Sequence, residues 1–141
     1  MDKYILVDTG YWFGLLDPSD SYHQQAQEVA EIISDYTLII PFPTLYEVLN
    51  SSFIKNKAAL ENLENLIKSE KTALIYDESY RDNALHNVYQ VHKSPIPKVA
   101  LVDSIIREIL KDINIKVDGL VTFNVKDFKD LCDIRNISII P

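Results

Sequence analysis

Tyr4-Ile5-Leu6-Val7-Asp8-Thr9-Gly10 is the stretch that decides how this chain is read. Four consecutive apolar residues suit a short strand covered on both faces, as in a parallel sheet. The acid that follows predicts a carboxylate at the strand's carboxyl end. In open α/β sheets that end carries the ligand crevice, so Asp8 is placed for metal or proton chemistry, although a helix cap would explain it equally well.

Outward from this stretch the same unit recurs. Brief runs rich in Ile, Leu and Val predict further strands at residues 37–40, 73–76, 119–121 and 138–140. Stretches with helical spacing or strong helix formers fill the intervals at 22–34, 45–55, 58–69, 79–91 and 98–112. Residues 44–55 and 58–69 can pair as a helical hairpin, the one departure from an α/β rhythm. Pro41-Phe42-Pro43 and Pro95-Ile96-Pro97 punctuate the chain, and neither is long enough for a domain linker. At 141 residues, 47% of them hydrophobic, the expectation is one domain over residues 1–141 with a proper core.

Composition narrows the chemistry. One cysteine and three histidines supply neither a disulfide nor a spaced ligand set for structural zinc, and a reducing, cytoplasmic setting is expected. No leader-like segment opens the chain, and no apolar run approaches the ~18 residues of a membrane span, so no membrane association is expected. Three glycines form neither a GxGxxG nor a GxxxxGK loop, which speaks against a dinucleotide or ATP enzyme. The net charge of −7 argues against broad electrostatic capture of nucleic acid. An acidic cluster loaded with divalent cations still binds phosphate, and Lys55, Lys57, Lys93, Lys98 and Lys126 could then flank it, although scattered lysines are usually a solvated surface.

Three further segments can join Asp8. Thr44 and Glu47 have the spacing of a capping box, in which Glu47 folds back to the Thr44 amide. Alternatively, a helix opening after the second strand turns Glu47 toward Asp8. Asp103 lies beside Leu110 at the edge of the stripe Val99, Val102, Ile106, Ile109, Leu110 and Ile113, which predicts a partly buried carboxylate. Burial requires a cation or strong donors, unless Arg107 pairs with it at i+4. Asn124 and Asp127 follow the fourth strand, where each also suits a turn or a helix cap. Together Asp8, Glu47, Asp103 and the Asn124/Asp127 turn offer oxygen ligands of the kind that Mg2+ or Mn2+ prefers. His23 fits a structural or solvent-facing role, and Tyr11, Trp12 and Phe13 fit the core better than base stacking.

At these residues the chain resembles the PIN-domain family of metal-dependent nucleases, particularly the small VapC-type ribonucleases of prokaryotic toxin–antitoxin pairs. Tyr4 through Thr9 looks like the family's first motif, and Asp17-Pro18-Ser19-Asp20-Ser21-Tyr22-His23 through Ala26 like its first loop and helix. Glu47 in Thr44-Leu45-Tyr46-Glu47 matches the second acid, and Asp103 in Val102-Asp103-Ser104-Ile105-Ile106 the third. Thr122-Phe123-Asn124-Val125-Lys126-Asp127-Phe128 is similar to the closing motif. Many members carry Asp where Asn124 stands, so either Asn124 or Asp127 completes the site, and the number of metals stays open at one or two.

The resemblance covers nearly the whole chain. It implies an α/β fold, a three-layer α/β/α sandwich around a mainly parallel sheet of about five short strands. It also implies Mg2+- or Mn2+-dependent hydrolysis of RNA phosphodiester bonds. Asp8, Glu47, Asp103 and Asp127 would be the catalytic acids, with Asp8, Glu47, Asp103 and Asn124 holding the metal and the Thr9 hydroxyl supporting them. A small antitoxin protein and a homodimer are the implied partners. A catalytically weak or inactive PIN-like protein-binding module is the competing reading, to be separated by metal-binding calorimetry and a cleavage assay. A phosphatase with Asp8 as nucleophile is disfavoured, because such haloacid dehalogenase-like enzymes need an acid two residues on and Gly10 stands there.

Overall fold

The protein is described by a computed structural model, for residues 3–92 and 99–140. Pro95-Ile96-Pro97, Lys93, Lys98 and the first residue of the helix expected at 98–112 lie outside the described residues. In chain order the elements are β1 (Tyr4–Val7), α1 (Thr9–Leu16), α2 (His23–Ile32), β2 (Thr37–Pro41), α3 (Phe42–Leu49), α4 (Lys57–Ile67), β3 (Thr72–Ile75), α5 (Arg81–His92), α6 (Leu101–Lys111), β4 (Gly119–Val121), α7 (Lys129–Arg135) and β5 (Ser138–Ile140). Short 3-10 turns at Ser52–Lys55 and Val125–Asp127 precede α4 and α7.

All five strands pair in parallel, in the order β3-β2-β1-β4-β5. The sheet is therefore wholly parallel, as the run of doubly buried strands requires. Period-two alternation sorts its side chains to two cores. Ile5, Val7, Ile40 and Val121 face one layer, packing with Tyr11, Trp12, Val29, Val48 and Leu63 from α1 to α4. Leu6, Ile39 and Leu120 face the other, packing with Ile105, Ile106, Ile109, Leu110 and Phe128. The result is the three-layer α/β/α sandwich that the resemblance implies.

Strand order reverses between β1 and β4. With crossovers of one hand, that reversal sends successive helices to opposite faces and leaves a crevice at the carboxyl ends of these two strands. Asp8 leaves β1 there and Thr122 leaves β4 there, so the topology brings them side by side although 114 residues separate them.

Several elements depart from expectation. The segment Thr9–Leu16 is helical, although its two glycines and nearly continuous apolar character hide any amphipathic period; such a helix is buried rather than surface-facing. The helix expected at 45–55 starts earlier, at Phe42, because Pro43 is tolerated in a first turn, and it stops at Leu49. Ser51 ends it by donating to the Val48 carbonyl at 2.6 Å while accepting from the Phe53 amide, and Asn56 then caps α4 through the Ala59 amide. Ile113 does not join the apolar stripe of α6; it lies beyond that helix's end and is 82% exposed, and Ile105 is buried instead. No helix among the described residues is long and apolar enough to cross a membrane.

Candidate functional site

Asp8 is 5% exposed and caps α1. Its Oδ1 accepts from the Thr9 amide at 2.7 Å, securing the start of α1. Its Oδ2 accepts from the Thr122 hydroxyl at 2.8 Å, tying the end of β1 to that of β4. The same Thr122 oxygen accepts the Asn124 amide at 3.0 Å, which fixes the start of the following turn. Each carboxylate oxygen keeps lone-pair capacity beyond these bonds. Burial raises the Asp8 pKa above the ordinary carboxylate value; the bonds from Thr122 and Thr9 oppose the rise, and the charges of Glu47 and Asp127 add to it.

Glu47 reaches this cluster through Thr9, whose hydroxyl donates to Oε1 at 2.5 Å. The capping box is not formed. Because α3 begins at Phe42, Thr44 already lies inside its first turn and donates to the Pro41 carbonyl at 2.7 Å, leaving Glu47 free to face α1.

Asp103 stands in the first turn of α6, half-buried. Its pKa is pushed up to about 6, first by burial and then by the charges of Asp8, Asp127 and Glu47. The alternative pairing with Arg107 is absent. Arg107 instead donates to the Asp127 carbonyl at 2.6 Å and makes two 2.8 Å bonds to Asp130, so it braces the Asn124–Asp127 turn from α6. The adjacent Ser104 hydroxyl bonds the Ala84 carbonyl at 2.8 Å and anchors the first turn of α6 to α5.

Asp127 closes the 3-10 turn and does not cap α7, whose N-cap is Phe128 with no side-chain bond. Asn124 is exposed at the start of that turn and makes no side-chain cap. His23 is structural: its Nδ1 lies 2.7 Å from the Gly14 carbonyl and docks α2 on α1. Tyr11 and Trp12 are core residues, and Phe13 packs half-buried against the same core.

Four acids from four separate segments thus share one electrostatic environment. Among the described residues none of them has an ion-pair partner, while seven salt bridges form elsewhere. The donors are all oxygens, with no imidazole or thiol in the set, and such a set suits a hard divalent cation. Burial first, and the neighbouring acids after it, disfavour the charged forms of Asp8 and Asp103, and a cation would relieve both effects. No three of the described His, Cys, Asp or Glu side chains are gathered as an ion would hold them.

Two contributors were not assigned a role from sequence. Thr122 was visible only as part of the closing motif, and its spacing gives no sign that it would bond Asp8 across the sheet. Arg107 reads as the i+4 partner of Asp103, since only the tertiary fold shows the Asp127 carbonyl within its reach.

No protein-family model matches the chain, and no curated protein matches its sequence. Its structure does resemble solved ones. Mycobacterium tuberculosis VapC20, described as a Sarcin-Ricin loop cleaving toxin, superposes with a TM-score of 0.69 at 14% identity, over 89% of this chain and 94% of that one. VapBC2 from Rickettsia felis, solved bound to a DNA fragment from their promoter, gives 0.61 at 17% identity, over 96% of each chain. The chain has the PIN-like fold of these structures, as the resemblance implies.

Proposed function

We propose that this chain is a PIN-domain endoribonuclease of the VapC type, a metal-dependent hydrolase of RNA phosphodiester bonds and the toxin of a toxin–antitoxin pair. The observation that carries the reading is that Asp8, Glu47, Asp103 and Asp127 act on one another around the β1/β4 crevice with no ion-pair partner among the described residues, burial and the neighbouring acids raising the proton affinity of Asp8 and Asp103. The likeness to a toxin described as cleaving the Sarcin-Ricin loop supports RNA as substrate, and the likeness to VapBC2 supports a small antitoxin partner. A homodimer accompanies the proposal, to be checked by light scattering.

Asp8, Glu47, Asp103 and Asn124 would hold the Mg2+ or Mn2+, with Asp8 and Asp103 its chief ligands. Bound there, the ion supplies Lewis-acid polarisation of a phosphoryl oxygen and makes water acidic enough to attack near neutral pH. Thr122 and Thr9 hold the two Asp8 oxygens in fixed directions, so this acid needs no reorganisation when substrate arrives. Thr9 orients Glu47 in the same way. Asp127, held in place through its braced carbonyl, is the acid that orients the attacking water and accepts its proton.

The test is cleavage of a panel of structured and single-stranded RNAs by purified protein with Mg2+ or Mn2+, run beside Asp8→Asn. Wild-type protein should cut at defined sites only with the ion present, and the folded variant should not. Undiminished cleavage by Asp8→Asn would sink the assignment of the site, and absence of cleavage by wild-type protein across the panel would favour a binding module.

A further inference from the structure

Beside the acids lies an aromatic pair that the reaction as described does not use. Tyr22 and Phe123 stack face to face, with ring centroids 4.4 Å apart and planes within 5°. Phe123 stands between Thr122, the partner of Asp8, and Asn124, so its ring is placed within about one residue's span of the crevice. It rests on α1 where there are no side chains. A Cβ on Gly14 would meet the Phe123 ring at 3.3 Å and Ala26 at 3.1 Å, and one on Gly10 would touch the ring at 3.5 Å. Tyr22 forms the outer layer and is 42% exposed.

The layer is also held rigidly. The Tyr22 amide donates to Asp20 Oδ1 at 2.9 Å, its carbonyl accepts from Ala26 at 2.8 Å, and the neighbouring His23 ring is fixed to the Gly14 carbonyl. A half-exposed ring on a pinned backbone binds a flat partner at small cost in ordering.

The charge balance says what that partner must supply. A chain of net charge −7 that collects four acids at its site gains little affinity for a polyanion from long-range electrostatics. Base stacking is the contribution to RNA affinity that is indifferent to this charge. We infer that the outer face of Tyr22, backed by Phe123, stacks an unpaired nucleobase adjacent to the phosphate that is cut. The inference rests on the ribonuclease reading and adds to it a specificity residue that takes no part in the chemistry.

The experiment crosses the ring with the base it would hold. An RNA of the cleaved sequence carries one abasic nucleotide, walked through the positions flanking the cut, and is assayed against wild-type protein, Tyr22→Ala, Tyr22→Leu and Tyr22→Phe. For wild-type protein one abasic position should raise KM about 5- to 150-fold with kcat nearly unchanged. Tyr22→Ala should raise KM by a similar factor on intact RNA, and the abasic site should then add little, since both changes remove the same contact. Tyr22→Leu, which keeps apolar cover over Phe123, should behave like Tyr22→Ala if the planar ring matters and not only the fold; Tyr22→Phe should behave like wild type. Equal abasic effects in wild type and Tyr22→Ala, or a normal KM for Tyr22→Leu, would overturn the inference. A second arm follows a fluorescent RNA oligonucleotide binding to Asp103→Asn protein, with and without Tyr22→Leu. Binding that depends on Tyr22 while wild-type protein cuts no RNA would retain the stacking site and reject the ribonuclease. Binding indifferent to Tyr22 would reject the stacking site whatever is cut.

Discussion

Thr122 carries more of the site than its small side chain suggests. Its hydroxyl accepts the Asn124 amide and donates to Asp8, and the residue is wholly buried. Thr122→Val keeps the shape but leaves the part-buried Asn124 amide and a buried Asp8 carboxylate oxygen short of a partner. Loss of about 1–3 kcal/mol of stability is expected in chemical denaturation, with cleavage reduced at least about tenfold as Asp8 loses its orientation. Asp103 should show the opposite balance. Its folded pKa of about 6 lies above its ordinary 3.8, so its protonated form is favoured by the fold. Its contribution to stability is full below pH 3.8 and is lost as pH rises through about 6. Asp103→Asn should therefore raise the melting temperature of the metal-free protein at pH 7.5 more than at pH 4.5, while abolishing cleavage. A variant that melts lower at pH 7.5 would show that Asp103 is held by partners other than its fellow acids.

At the scale of elements, the strands were legible because each is a bare apolar run ended by a polar residue; β1, β4 and β5 begin and end where the sequence places them. The helices were legible where one face is polar. The helix α1 was not, since Thr9-Gly10-Tyr11-Trp12-Phe13-Gly14-Leu15-Leu16 has glycine where a helix former is expected and no solvated stripe. The short α7 was hidden by its polar sequence and its length of two turns. Site acids were legible as acids at strand ends, but their partners were not. The Thr9–Glu47 and Arg107–Asp127 contacts join residues 38 and 20 apart, and local spacing favoured the nearer Thr44 and Asp103 in each case. The contact from α6 to the closing turn gives a prediction at this scale. Arg107→Lys cannot serve the Asp127 carbonyl and both Asp130 oxygens together. Amide hydrogen exchange at Asp127 and Phe128 should quicken, and kcat should fall about tenfold with the fold intact. Unchanged exchange alongside lost activity would instead place Arg107 on the substrate.

In the whole molecule, one property of the doubly wound sheet is decisive. Reversal of strand order between β1 and β4 sets aside a crevice, and acids at the end of β1 and from α3, α6 and the turn after β4 act on one another there without an ion-pair partner among the described residues. The fold favours the protonated form of Asp103 there. Divalent cations should accordingly stabilise it, and more above pH 6 than at pH 5, where protonation of Asp103 already relieves part of the repulsion. Isothermal calorimetry of Mn2+ binding at pH 7.5, to wild-type protein and to Asp103→Asn, tests this most directly. The account predicts a saturable site in wild-type protein that the variant binds at least about tenfold more weakly. Absence of a saturable site in wild-type protein, or equal affinity in the two proteins, would contradict it.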